Sequence, residues 1–274
     1  MSTMFRLFKV SSSGYYEWCS RPASKRSEQD QVLKIKIKKS HENSRENYGA
    51  RRVQSDLQDE GETVSRARVQ RLMKEENIKS KVHKKFKATT YSDHGKPVAD
   101  NVLNREFQQE EANKVYVGDI TYIHTREGWL YLSVFIDLFS KQVVGWSMSD
   151  RMYASIVTDA LTMAMFNRKP SSGLIVHSDR GSQYVSDAYQ KILNDNNFVC
   201  SMSRKGNCWD NAPAESFFHT LKTELVHHED YKTREEAKQS IFEYIAVFYN
   251  RQRKHSSCNY MAPEVYENEM AKAA

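Results

Sequence analysis

Asp119 interrupts an apolar, strand-like run, KVYVGDITYI, and by strand alternation it shares a face with Val117 and Thr121. Asp179 ends a second short apolar run, GLIVHSD, just where Arg180 and Gly181 turn the chain. Glu215 follows Pro213, which suits the first turn of a helix that Asn211 could cap. A carboxylate lodged in a core strand is costly unless it is paired or holds a cation. Three such groups from three separate elements converge only around something positive. Hard oxygen ligands suit Mg2+ or Mn2+, which keep waters and bind substrate phosphate. Each residue also has an ordinary explanation: a strand-end Asp forms turns, and a Glu early in a helix complements its dipole. Thirty-five residues separate Asp179 from Glu215. Lys222 follows Glu215 by seven, close to two helical turns, and so projects from the same helix face.

The elements that must position these groups begin at Lys114. The runs KVYVGDITYI, WLYLSVFIDLF and KQVVGWSMSD, with short breaks, predict an antiparallel meander. A helix (ASIVTDALTMAMFNR), a strand (GLIVHSD), a helix from Ser186 to Asn197 and a strand (FVCSMS) follow. This order describes an α/β domain with a mixed sheet. A last helical run, TREEAKQSIFEYIAVFYNRQR, is expected to end near Pro263.

Before Lys114 the texture is helical and basic. Residues 1–100 hold 22 Lys and Arg against 13 Asp and Glu, whereas the remainder holds 19 against 22. A polyanion gripping the first third accounts for this, since neutralising phosphates releases counterions; a solvated helical surface accounts for it equally. From about Asp30 to Lys87 the pattern is short helix, break at Gly61, then a basic helix capped by Ser65. Val69, Leu72 and Met73 form its apolar stripe, while Arg66, Arg68 and Arg71 project elsewhere as candidate DNA contacts. That is the pattern of a helix-turn-helix DNA reader, or of any small helical bundle. Five lysines between Lys79 and Lys87 favour the former. The expected divisions are an N-terminal segment over 1–30, a helix-turn-helix-like region over 31–90, a linker over 91–112 and the α/β core with C-terminal helices over 113–274.

The longest apolar stretch, Trp129 to Phe139, is too short to cross a bilayer, and the first residues lack a secretory pattern. A cytoplasmic chain without membrane contact is expected. The four cysteines are scattered and read as reduced thiols. Asp137 reads as a buried structural Asp, and His177 as sharing Asp179's strand face. Asp210 and Asn211 would touch DNA or shape their loop, Trp209 would pack, and His227 and His228 would lie on the surface. Tyr249, Arg251, Arg253 and His255 would form either a DNA-contacting tail or a packed end.

The segments VGDITYI, FIDLFSKQVVGW, HSDRGSQY, GNCWDNAPAESFFHTLKTEL and FYNRQRKHSSCNYMAPEVY resemble the D-D-E core of retroviral integrases and bacterial insertion-sequence transposases of the orf B type. SGYYEW and residues 48–78 resemble the N-terminal part of the insertion-sequence proteins. The resemblance implies a ribonuclease-H-like mixed sheet with helices on both faces, preceded by a small all-α helix-turn-helix region. It implies that Asp119, Asp179 and Glu215 are catalytic and hold two Mg2+ or Mn2+ ions. Lys222 would hold a phosphate near the transposon end. The activity implied is nicking of transposon ends and joining of the 3′-hydroxyl to DNA, without a covalent enzyme intermediate. Implied partners are transposon-end and target DNA, further copies of the chain, and an upstream-frame DNA-binding protein or fusion. The His-His-Cys-Cys zinc module of retroviral integrases has no counterpart, because residues 1–100 contain only Cys19.

Overall fold

A computed structural model describes residues 2–81, 98–205 and 207–273, which divide into two compact units meeting in sequence at Ser80 and Lys81. Three of the five lysines noted above, Lys84, Lys85 and Lys87, lie outside the described residues.

In the first unit, α1 (Ser2–Leu7) and α2 (Ser12–Ser20) precede α3 (Lys25–Asn43), α4 (Ala50–Asp59) and α5 (Arg66–Glu75). Helix α3 begins earlier than its apolar pattern suggests, because the Ser24 hydroxyl accepts from the Ser27 amide and caps it. Gly61, at φ +83°, makes the turn between α4 and α5, a conformation that side chains disfavour. Ser65 caps α5 by accepting from the Arg68 amide. Leu33, Ile37, Val53, Leu57, Val69 and Leu72 form one core, in which each buried aliphatic side chain contributes roughly 1.5–3 kcal/mol.

The second unit is built on a five-stranded sheet. Strands β1 (Val115–Thr125), β2 (Gly128–Asp137) and β3 (Val143–Ser149) form the antiparallel meander, while β4 (Ile175–Ser178) and β5 (Val199–Met202) run parallel to β1. The spatial order is β3-β2-β1-β4-β5. Alternation along the strands divides the core between two faces. Tyr116, Phe135, Val144 and Val176 pack with α6 (Ser155–Arg168) and α7 (Asp187–Asp195). Val115, Val117, Leu132, Val134 and Ile136 pack with α8 (Ala212–Glu224) and α9 (Arg234–Glu243). At Gly145 a Cβ would collide with the Ala160 carbonyl, so a side-chain-free position brings α6 down onto β3.

Two boundaries depart from the sequence reading. The last helical run changes to a π-helical turn over Tyr244–Tyr249, and Pro263 starts rather than ends a helix, α10 (Pro263–Ala273). Proline lacks an N–H that the first helical turn leaves without an intrahelical partner, and this suits it to that position. Residues 98–112, read as part of a linker, carry Leu103 into the core, where its amide donates to the Ser201 hydroxyl. No helix among the described residues is long and apolar enough to cross a membrane.

Candidate active site

The parallel register between β1 and β4 ends with Val117 opposite His177. Two residues further along each chain stand Asp119 and Asp179, where β4 has ended and β1 continues to pair with β2 alone. Ligands of open α/β sheets bind outside the carboxyl ends of such strands. Each aspartate is half-buried and gives one oxygen to its own backbone. Asp119 Oδ1 accepts from the Ile120 amide at 2.8 Å, and Asp179 Oδ1 from the Gly181 amide at 2.9 Å.

Glu215 arrives from the other side of the sequence gap. A 3-10 turn, Cys208–Asn211, runs directly into α8, with Pro213 and Glu215 in the first helical turn. Asn211 does not cap this helix, contrary to expectation: its side chain turns toward β1, and its amide oxygen accepts no hydrogen bond. Its carboxamide Nδ2 reaches the Gly118 carbonyl at 3.4 Å, a weak bond that ties the start of α8 to β1 next to Asp119.

The three carboxylates act on one another. Burial pushes Asp119 well above the usual carboxylate range; the charges of Asp179 and Glu215 push it further, against the Ile120 amide and Lys222. Glu215 is raised by burial and then by Asp179. Lys222 is only 6% exposed, its ammonium lying 5.0 Å from the centre of the Tyr122 ring. Burial lowers its proton affinity while Asp119 raises it. The lysine thus lies inside the site, between an aromatic face and an acid. Among the described residues no three acidic, imidazole or thiol groups close around a point as ion ligands. The donor set, two aspartates and a glutamate offering oxygens alone, is of the kind that suits a hard cation.

The other sequence candidates sort by burial. Asp137 is buried and structural, accepting from the amides of Asn113 and Phe139. His177 is buried between the Ser201 and Ser203 hydroxyls, and burial lowers its pKa to about 4, so it is a neutral packing group. Asp210 shapes its loop: its fully buried carboxylate receives Arg204, Arg105 and Asn101. Trp209 does not pack; it is 69% exposed. His227 and His228 are exposed. Arg253 is buried and donates to both oxygens of Glu224, which also accepts from the Tyr244 hydroxyl; Tyr249 is buried as well, His255 is half-buried and Arg251 is exposed. Tyr122, Arg105 and Arg204 were not singled out in the sequence. Tyr122 lies three residues past Asp119 in an alternating strand, a signal too common to be specific.

In the helical unit, Arg66 is exposed at the start of α5. Arg68 and Arg71 instead hold Asp30 of α3, and Arg71 also meets Glu75. Asp30 is held below the usual carboxylate range, first by Arg71.

A mixed sheet in the order β3-β2-β1-β4-β5, with Asp119 and Asp179 standing where β1 and β4 part, defines an integrase-type core. Family models agree: "Integrase core domain" matches residues 109–208 and again, as a second model, 215–270, and "HTH-like domain" matches residues 28–86. The chain is 42% identical over 270 residues to the transposase InsF for insertion sequence IS3A of Escherichia coli K12, covering 98% of this chain and 94% of that protein. It is 46% identical over 263 residues to the insertion element IS600 uncharacterized 31 kDa protein of Shigella sonnei, covering 96% and 97%. The chain belongs to the IS3 family of insertion-sequence transposases. Its fold also resembles a chain of the simian T-cell lymphotropic virus intasome (14% identity, TM-score 0.49, covering 84% of this chain and 74% of that one).

Proposed function

We propose that Asp119, Asp179 and Glu215 are the catalytic carboxylates with which this transposase nicks the ends of its element and joins the freed 3′-hydroxyl to target DNA. The observation that carries this reading is the position of Asp119 and Asp179 two residues beyond the last paired positions of parallel β1 and β4, with the start of the Glu215 helix tied to β1 beside Asp119. Bound Mg2+ or Mn2+, two ions in the full reaction, would supply the positive charge that polarises a phosphate oxygen and eases deprotonation of the attacking hydroxyl.

The chain's own residues set the stage for that chemistry. In the nick, a water oxygen bonds to phosphorus as the bond to the 3′-oxygen breaks, and the departing oxygen takes a proton. In joining, the 3′-hydroxyl attacks, loses its proton, and a target 3′-oxygen departs. Neither step needs a Ser, Cys or Tyr nucleophile. The backbone bonds to Asp119 and Asp179 limit how those carboxylates can rotate, and Asn211 keeps the start of α8 beside β1. Lys222 supplies positive charge for a phosphate entering beside Asp119 and is not the base. The helical unit, with Arg66 exposed on α5 and Arg68 and Arg71 held by Asp30, binds the terminal DNA sequence. Two ends must be held at once, which calls for further copies of the chain, with or without an upstream-frame fusion partner, acting in the bacterial cytoplasm on the nucleoid.

Purified protein incubated with labelled transposon ends, with and without Mg2+ or Mn2+, tests the reading. Joined products are expected. Cleavage alone would mark a nuclease, and binding alone a repressor.

A further inference from the structure

Trp209 exposes 69% of its surface on the turn that leads into the helix bearing Glu215. Water is a poor neighbour for an indole, and this one is held in place by unusually firm footing. The next residue, Asp210, has a fully buried carboxylate that accepts from Arg204 Nε, Nη2 and backbone amide at 2.8–2.9 Å, from Arg105 Nε at 2.7 Å and from Asn101 Nδ2 at 2.9 Å. One end of the segment is bound to the Asp179 strand, through Arg180 Nε to the Ser203 carbonyl at 2.7 Å and the Ser203 amide to the Ser178 carbonyl at 2.9 Å. The other end is bound to the Asp119 strand through Asn211 and the Gly118 carbonyl. The indole therefore stands, exposed, on a segment tied to both aspartate strands and leading directly into the Glu215 helix.

The charge beside it is equally built. Two guanidiniums share one carboxylate, so a net positive charge remains, and the side chains of Arg105 and Arg204 are still 41% and 49% exposed. A guanidinium has five N–H donors; Arg105 gives Asp210 one and Arg204 gives it two. Fixed, half-exposed arginines next to a free aromatic face match the two parts of a nucleotide, phosphate and base.

We infer that Trp209, with Arg204 and Arg105, forms a subsite for one unpaired nucleotide of the DNA end, the base stacking on the indole and the adjoining phosphate meeting the arginines. This deepens the reading proposed above and rests on it for the identity of the DNA. Holding an opened base would bring the phosphodiester beside it down to Asp119, Asp179 and Glu215. Trp209 is thus a positioning residue whose stacking energy favours the frayed over the paired end.

The test uses full-length protein and two labelled terminal duplexes, one fully paired and one with its last base pairs mismatched. With saturating protein, Trp209→Ala is expected to cleave the paired end about 5- to 150-fold more slowly than wild type. Trp209→Phe is expected to stay near wild type, and mismatching should restore most of the alanine variant's rate. Separately, in EDTA, Trp209→Ala and Arg204→Gln should each bind the mismatched end more weakly. Wild-type cleavage of the paired end by Trp209→Ala, or an equal loss on both duplexes, would overturn the subsite, as would unchanged binding in EDTA. If wild type itself cleaves nothing while binding in EDTA depends on Trp209, the proposed chemistry fails and the nucleotide subsite stands.

Discussion

Asp179 sits close enough to Asp119 for its charge to be the strongest electrostatic influence, after burial itself, raising the proton affinity of the Asp119 carboxyl. Nearby like charges disfavour ionisation of both groups, and the site is therefore a standing cost to the fold whenever its acids are charged.

The sign of that cost fixes its pH dependence. A carboxyl raised above its unfolded value binds its proton more tightly in the folded chain. Its contribution to stability is complete below the unfolded pKa and is lost as pH rises through the folded one. Asp119→Asn should therefore melt higher than wild type at pH 7–8, by roughly 2–4 °C for each kcal/mol of repulsion removed, and match it near pH 4. Added Mg2+ or Mn2+ should raise the wild-type melting temperature more than that of the variant. Thermal scans across pH check both expectations.

Asp210 has the opposite sign. Arg204, first among its partners, holds it well below the usual carboxylate range. The stability it contributes is present above the unfolded carboxyl pKa and lost as pH falls toward the folded one. Asp210→Asn should cost about 2 kcal/mol at neutral pH, a modest figure because both arginines are half-exposed to water. The deficit should shrink under acid conditions, as urea unfolding at neutral and low pH would register.

At the far end of α8, Arg253 and Glu224 are both buried and doubly hydrogen-bonded. Arg253→Ala strands the Glu224 charge and should cost about 3–5 kcal/mol, whereas replacing both partners by Met and Leu should cost far less. A double-mutant cycle in urea measures the difference.

In the helical unit Arg66 and Arg68, two residues apart on α5, differ in their surroundings: the first is exposed and the second holds Asp30. Arg66→Ala should weaken binding to terminal DNA and flatten its dependence on salt by about one counterion, with the unit's melting unchanged. Arg68→Ala should lower the melting temperature, because it leaves Asp30 of α3 with Arg71 alone. Affinity measured over a salt series, together with thermal melting, separates the two.

Much of this could be read from the chain itself. Alternation placed Asp119 on a strand, Ser65 and Ser186 announced helix starts, and Asp137 stood out as an acid inside an apolar strand. What escaped was decided by partners remote in sequence. Asn211 has the residue type and position of a cap, yet its side chain turns to a carbonyl 93 residues away and leaves its own oxygen without a hydrogen bond. Arg253 follows a run of aromatic residues like a surface tail, yet Glu224 draws it inside. The stretch before β1 looks like a linker because its composition is polar, but Arg105 and Asn101 are polar in order to hold Asp210. Trp209, an aromatic that would ordinarily be packed, faces water because its neighbour fills the buried position.

The central claim concerns which acids do the chemistry, and substitution of each tests it most directly. Asp119→Asn, Asp179→Asn and Glu215→Gln, assayed side by side for nicking and joining of labelled ends, should all lose both activities while binding terminal DNA within a few-fold of wild type. Strand joining at the wild-type rate by any one of the three would contradict the account.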